Sequence, residues 1–353
     1  MSEFRKPFLQ LISLLIGLLS LVVGLLVGLG VLIVWPYMSS HLPTLSTLNT
    51  LQETSDLAYQ SKNALLDPES VWQAPDWSLV DQEPNADAIR YGKDLIANTA
   101  LYLGPNGKVK QISNGLNCQN CHLQAGTLPL GNNYSAVAST YPKIRGRSGT
   151  SEDVVMRING CFERSLNGTA LDPESKEMKA MVAYMTWLGK EVPTGIKPLG
   201  AGLHEVPFLD RAADPIHGKT VYEQFCQSCH RADGQGIAKQ DGSGYLYPPL
   251  WGEHSYNQRA GLYRMSRFAG YVKANMPFGT TFENPVLSDE EAWDVAAYVN
   301  SLPRPDRDFP NDWPDISKKP LDHPFGPYSD DFSENQHKFG PYQAIQKAKS
   351  EVK

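Results

Sequence analysis

Two copies of C-x-x-C-H constrain this chain more than any other feature. They are Cys118-Gln-Asn-Cys121-His122 and, more than a hundred residues later, Cys226-Gln-Ser-Cys229-His230. Two thiols at that spacing can form thioethers to the two vinyl groups of one haem, and the adjacent histidine then falls beneath the iron as proximal ligand. A single copy could equally be a redox dithiol or half of a zinc site. A zinc site built from both pairs would need neither a histidine after each pair nor so long a separation, so two covalently bound haem c groups are the expected cofactors. Each motif also sits in a similar frame. Tyr91-Gly92-Lys93-Asp94-Leu95-Ile96 precedes the first, and Gly218-Lys219-Thr220-Val221-Tyr222 precedes the second. Each frame closes with apolar residues at helical spacing, Glu177 to Leu188 and Glu291 to Leu302, and stops near a proline, Pro193 or Pro303. The pattern is an internal duplication: helix, cysteine loop, long irregular stretch, closing helix.

The 353 residues leave room for about two domains plus extras. With 41% hydrophobic and 20% charged residues the chain is too apolar to be disordered. Its net charge of -6 argues against a nucleic-acid partner. Five cysteines are too few for a disulfide scaffold, and four of them belong to the haem motifs.

After Arg5 and Lys6 no charged residue appears until Glu53, and Phe8 to Trp35 is almost wholly apolar. That run exceeds the ~20 residues needed to cross a bilayer. A signal-peptide core would be shorter and would lead into a small-residue cleavage site, whereas the exit here reads Trp35-Pro36-Tyr37. The expectation is an uncleaved single-pass anchor in the inner (cytoplasmic) membrane, N-terminus in, haem domains in the periplasm. Trp35 and Tyr37 would sit at the outer interface. Gly24-x-x-x-Gly28 reads more simply as chance glycines than as a helix-dimer face. Haem attachment of this type implies export, which agrees with that orientation. The expected organisation is 1–37 transmembrane anchor, 38–75 polar stalk, 76–205 first haem domain and 206–303 second haem domain. A Pro- and Asp-rich tail, 304–353, would pack over the surface or trail away.

Each module resembles a class I cytochrome c, which implies an all-α fold of two tandem domains and, usually, methionine as the sixth iron ligand. For the second haem the candidate is Met276, in Ala-Asn-Met276-Pro277-Phe-Gly279, 46 positions after His230. Met265 competes but sits in a helix-like run without a following proline, and Lys273 could exchange with the methionine. The first module has no comparable Met-Pro. It has the fifth cysteine, Cys161, 39 positions after His122 and so near where a distal ligand falls. A thiolate is a strong anionic donor that lowers the iron's potential. Arg145, Arg147, Arg157 and Arg164 surround it in sequence; they could stabilise the thiolate or hold a sulfur oxyanion. The plainer alternative is a buried structural cysteine, with Met156, Met178, Met181 or Met185 as ligand; the last three fall in the closing helix and read as core.

The segment Ile158-Asn-Gly-Cys161-Phe-Glu-Arg164-Ser165-Leu-Asn-Gly168 resembles the diheme thiosulfate dehydrogenase family. So do Cys118-Gln-Asn-Cys121-His122-Leu-Gln-Ala-Gly126-Thr127 and the Tyr-Gly-Lys…Leu-Gly-Pro stretch before it, and the similarity runs from about Trp77 to Leu302. The resemblance implies an enzyme that couples two thiosulfates into tetrathionate, in some members reversibly. It implies Cys161 as ligand of the catalytic haem, with Arg147, Arg157 and Ser165 lining the substrate site. Haem 2, held by His230 and Met276, would pass electrons singly to an external cytochrome or membrane carrier. Some members carry Lys immediately before the haem 2 methionine; here that position is Asn275, which puts a Lys/Met switch in doubt. The anchor is a second departure and suggests a membrane-bound electron carrier as partner. Two rivals explain part of the pattern. An anchored, non-catalytic electron-transfer subunit of a respiratory complex leaves Cys161 among arginines without a purpose. A sulfur-binding cytochrome subunit would need a partner chain. His254, His323 and His337 read as surface residues.

Overall fold

Four of the longer described helices begin on a side chain that satisfies one of their otherwise unpaired first N–H groups. Asp153 accepts from the Met156 N–H, Ser175 from Met178, Asp214 from Ile216 and Ser288 from Glu291. The computed structural model describes residues 70–351 and Leu21. The expected anchor (Leu21 apart) and the 38–69 part of the stalk lie outside the described residues. Among the described residues no helix is long and apolar enough to cross a membrane.

The first module contains α1 (Ala86–Ala97), α2 (Val154–Arg164) and α3 (Lys176–Leu188). The second contains α4 (Pro215–Phe225), α5 (Met265–Asn275) and α6 (Asp289–Ser301). Two small helices, α7 (Glu334–Phe339) and α8 (Gln343–Glu351), end the chain. The all-α expectation needs one correction. Lys143–Ile144 pairs antiparallel with Ser151–Glu152, and Ile237–Ala238 with Tyr245–Tyr247. These ladders only close loops, and the modules remain helical.

The duplication is visible where the first and last helices of each module cross. Gly92 on α1 lies so close to α3 that a Cβ there would sit 2.0 Å from the Ala180 carbonyl oxygen and 2.8 Å from Tyr184 Cβ. Gly218 on α4 makes the same approach to α6, 1.8 Å from the Asp294 carbonyl oxygen and 3.0 Å from Tyr298 Cβ. Each module buries its own apolar cluster around this crossing. Ile89, Leu95, Met178, Met181 and Tyr184 fill the first. Val221, Tyr222, Met265, Trp293 and Ala296 fill the second.

The two modules meet through polar groups of α5 and the cysteine loop. The Tyr271 hydroxyl donates to the Asn120 carbonyl at 2.8 Å, and the Asn275 amide donates to the Leu130 carbonyl at 3.2 Å. The tail does not trail away. Tyr342 and Ile345 are buried in the second module's cluster, and the Gln343 amide donates to the Leu209 carbonyl at 2.8 Å. Residues 312–323 cross instead to the first module, and there they bear on the site.

Candidate active site

Cys118, Cys121, His122 and Cys161 all line one cavity of about 580 Å³. The loop bearing the first three is pinned by the Cys118 N–H, which donates to Thr99 Oγ1 at 3.0 Å, and by Asn117, whose side chain accepts from the Ala100 N–H at 2.8 Å. His122 Nδ1 lies 2.5 Å from the Asn132 carbonyl. A carbonyl only accepts, so the proton is on Nδ1 and the lone pair is on Nε2, which lies 3.5 Å from the Asn132 amide. His230 repeats this with the Pro248 carbonyl at 2.9 Å. Two thiols that can bond the haem vinyl groups, beside an imidazole oriented through its far nitrogen toward an iron, fit a covalently held haem in each module.

Cys161 and Arg157 are one helical turn apart on α2 and share a face. Burial disfavours the Cys161 thiolate, but the Arg157 guanidinium, the neighbouring His122 imidazole and Arg164 outweigh it and hold the thiol down at about 6. The attraction is mutual: the Cys161 charge raises Arg157 above the usual guanidinium value despite its burial. Cys118, Cys121 and Cys226 go the other way, pushed up to about 12 chiefly by burial. Ser165 follows α2 and lines the cavity, its N–H donating to the Cys161 carbonyl at 2.8 Å.

The arginines expected around Cys161 do converge, but they are not equivalent. Arg147 and Arg164 share the Asp312 carboxylate at 3.1 and 2.7 Å. Arg145 faces Glu152 at 3.8 Å. Arg157 has no carboxylate within 4 Å among the described residues, so its charge belongs to Cys161 and the cavity. The whole lining is one-signed: Lys143, Arg145, Arg147, Arg157, Arg164, Lys197, Arg259, Arg264, Arg267 and Lys318 face it, with no Asp or Glu among the described lining residues. Arg259, Arg264 and Arg267 come from the second module and Lys318 from the tail. Sequence reasoning missed these, because they lie about 100 residues or more from Cys161 and only tertiary contact gathers them. The R-x-x-R spacing of Arg264 and Arg267 at the start of α5 was the only local signal.

Two histidines also need correction. His254 is exposed, but His323 and His337 are fully buried. His337 bridges the Leu321 carbonyl at 2.6 Å and Asp330 at 2.8 Å. His323 lines the cavity beside Arg147.

At the second haem motif, Met276 follows α5 and packs, partly buried, against the second module's cluster. Met265 is fully buried in that cluster. The Lys273 ammonium is held by Asp289 at 2.7 Å and the Leu287 carbonyl at 2.8 Å. Asn275, the position of interest before Met276, is spent on the contact between modules. In the first module Met178 and Met181 are core, Met156 is half exposed, and Met185 both packs in the core and reaches the cavity.

Residues 108–194 match the SoxA/TsdA cytochrome c domain, and residues 216–303 match the cytochrome c family. The chain is 39% identical over 244 residues to a thiosulfate dehydrogenase of Psychrobacter arcticus, covering 67% of this chain and 71% of the relative. It is 41% identical over 198 residues to a thiosulfate dehydrogenase of Allochromatium vinosum, covering 55% and 72%. Among solved structures it resembles the thiosulfate dehydrogenase (TsdBA) from Marichromatium purpuratum, "as isolated" form, with a TM-score of 0.62 at 29% identity. That match covers 69% of this chain and 51% of the other, so the chain spans about half of its length.

Proposed function

The chain belongs to the thiosulfate dehydrogenase family of diheme cytochromes c, and from that premise we propose that it joins two thiosulfate ions into one tetrathionate at Cys161. It is a thiosulfate dehydrogenase and carries two covalently bound haem c groups. The observation that carries the site assignment is the ring of ten cationic side chains, without a carboxylate among the described lining residues, around a cysteine held ionised. Two thiosulfates are four negative charges brought to one place. A prearranged guanidinium cluster offsets their repulsion and fixes their orientation.

Cys161 and His122 would hold the iron of haem 1, and His230 and Met276 that of haem 2. Bound there, the haems would supply one-electron redox capacity for the two electrons of the sulfur chemistry, with a cytochrome or membrane carrier as the acceptor. The protein groups do the rest. Cys161 Sγ bonds to the terminal sulfur of one thiosulfate as two electrons leave. The terminal sulfur of the second thiosulfate then attacks that same sulfur, forming the central bond of tetrathionate and returning Cys161 as thiolate. No proton is consumed, which suits a cysteine already ionised at neutral pH. Arg157 and Arg147 hold the sulfonate oxygens, and Ser165 donates a hydrogen bond to one of them.

The apolar run Phe8 to Trp35 anchors this enzyme in the cytoplasmic membrane with both haem modules in the periplasm. Arg5 and Lys6 before the run and the need to export a haem c protein support that orientation. The test is tetrathionate formation by the purified diheme protein with a ferric acceptor, beside Cys161→Ser. The reading expects turnover by wild type and loss of it in the variant with both haems retained. If neither forms tetrathionate while both haems cycle normally, the chain is an anchored electron carrier instead.

A further inference from the structure

The C-terminal segment reaches Arg147 with three side chains. Asp312 accepts from Arg147 Nη1 at 3.1 Å and from Arg164 Nη2 at 2.7 Å, and it is nearly buried. Trp313 lies under the Arg147 guanidinium, 4.5 Å from ring centroid to Cζ, and its backbone N–H donates to the Arg147 carbonyl at 2.6 Å. His323 Nε2 lies 3.4 Å from Arg147 Nη2. Guanidinium only donates, so Nε2 is the acceptor and the imidazole is neutral. The surroundings agree: Trp313 and Phe325 pack edge-on against the ring at 4.7 and 5.0 Å, and the facing cations Arg147, Arg264 and Lys319 oppose a further charge there.

These contacts can be counted against the five N–H groups of an arginine. Both hydrogens of Nη1 are used, one on Asp312 and one on the Arg259 carbonyl at 2.8 Å. One hydrogen of Nη2 goes to His323. Nε–H and the second Nη2–H make no hydrogen bond among the described residues. Asp312 itself does not line the cavity, whereas Arg147, Trp313 and His323 do. The carboxylate therefore holds the arginine from behind and does not fill the place of an anion.

We propose that Asp312 and His323 are positioning residues for the substrate: with the Arg259 carbonyl they fix the Arg147 guanidinium so that two of its N–H groups stay open to a sulfur oxyanion. The role of the C-terminal segment is thus to complete the active site of the first module. This rests on the thiosulfate reading above.

The experiment measures thiosulfate binding by calorimetry to the reduced diheme protein, which cannot take electrons from it, and steady-state oxidation beside it. His323→Leu removes the acceptor at similar bulk, and its Kd and KM should rise about tenfold with kcat within about twofold, the worth of one hydrogen bond to a charged group. His323→Gln returns an acceptor oxygen to the Nε2 position and should recover affinity to within about threefold of wild type. Asp312→Asn, whose amide must face one guanidinium with N–H, should raise Kd at least as much as His323→Leu. Unchanged affinity in His323→Leu and Asp312→Asn overturns the proposal. So does a Gln variant as weak as the Leu variant, or a loss of kcat and thermal stability in parallel with a disturbed haem 1 spectrum. A wild-type protein that neither binds nor oxidises thiosulfate sinks the thiosulfate reading itself.

Discussion

Arg157 and Cys161 act as one unit, because each shifts the other's ionisation. Burial drives the thiol upward, and the Arg157 guanidinium is the largest of the influences, with His122 and Arg164, that bring it down to about 6. In Arg157→Gln the thiolate is populated only at higher pH. The acid limb of the kcat/KM profile should therefore move up from near 6 by at least about one unit, as a lost charge neighbour requires. At pH 7 the same variant should lose about a hundredfold in kcat/KM, because the proposed chemistry also places Arg157 on the developing sulfur oxyanion. A pH–rate profile from pH 5 to about 9 measures both effects. An unmoved limb would show that Arg157 serves the substrate alone. Asp312 explains why Arg157 and not Arg147 has this role: Arg147 is tied to a carboxylate, and burial with neighbouring arginines brings it down to about 10, still a cation at neutral pH.

At the scale of elements, each module depends on one glycine. The crossings α1 with α3 and α4 with α6 bring backbone against backbone, and a methyl group at Gly92 or Gly218 would fall within 2.0 Å of a carbonyl oxygen. Backbone cannot move aside as the end of a flexible side chain can. Gly92→Ala and Gly218→Ala should each cost about 2–3 kcal/mol, near the upper end for overpacking. Thermal or urea unfolding followed through the two haem bands separately would assign each loss to its own module. Both glycines were legible in the sequence as the repeated Gly-Lys of the two opening helices, and so were the closing helices that meet them. What was not legible follows a physical rule. His323 and His337 looked like surface residues because a polar side chain carries no local sign of burial when its partners lie elsewhere in the chain. Asp312 is 148 positions from Arg164, and no periodicity within either segment records that pairing. The strand pairs of two or three residues are likewise too short to show alternation.

At the scale of the molecule, the charge of the surface and the charge of the site oppose each other. The chain carries a net charge of -6, which alone would repel a dianion, so added salt would speed its arrival. The cavity instead gathers ten Lys and Arg side chains from both modules and the tail, with no carboxylate among its described lining residues. Field lines focused in a low-dielectric cleft act at closer range on an arriving anion than scattered surface charge does. The cavity should therefore dominate, and kcat/KM for thiosulfate should fall with ionic strength, by about tenfold between about 0.01 and 0.5 M sodium chloride. The kcat should change little, because a bound anion inside the cleft is poorly screened. Steady-state kinetics across that range, with an uncharged electron acceptor so that only the sulfur anion feels the salt, separates the two fields. A rise of kcat/KM with salt would mean that the overall charge controls access, and that the arginines of the second module hold the fold together without guiding substrate.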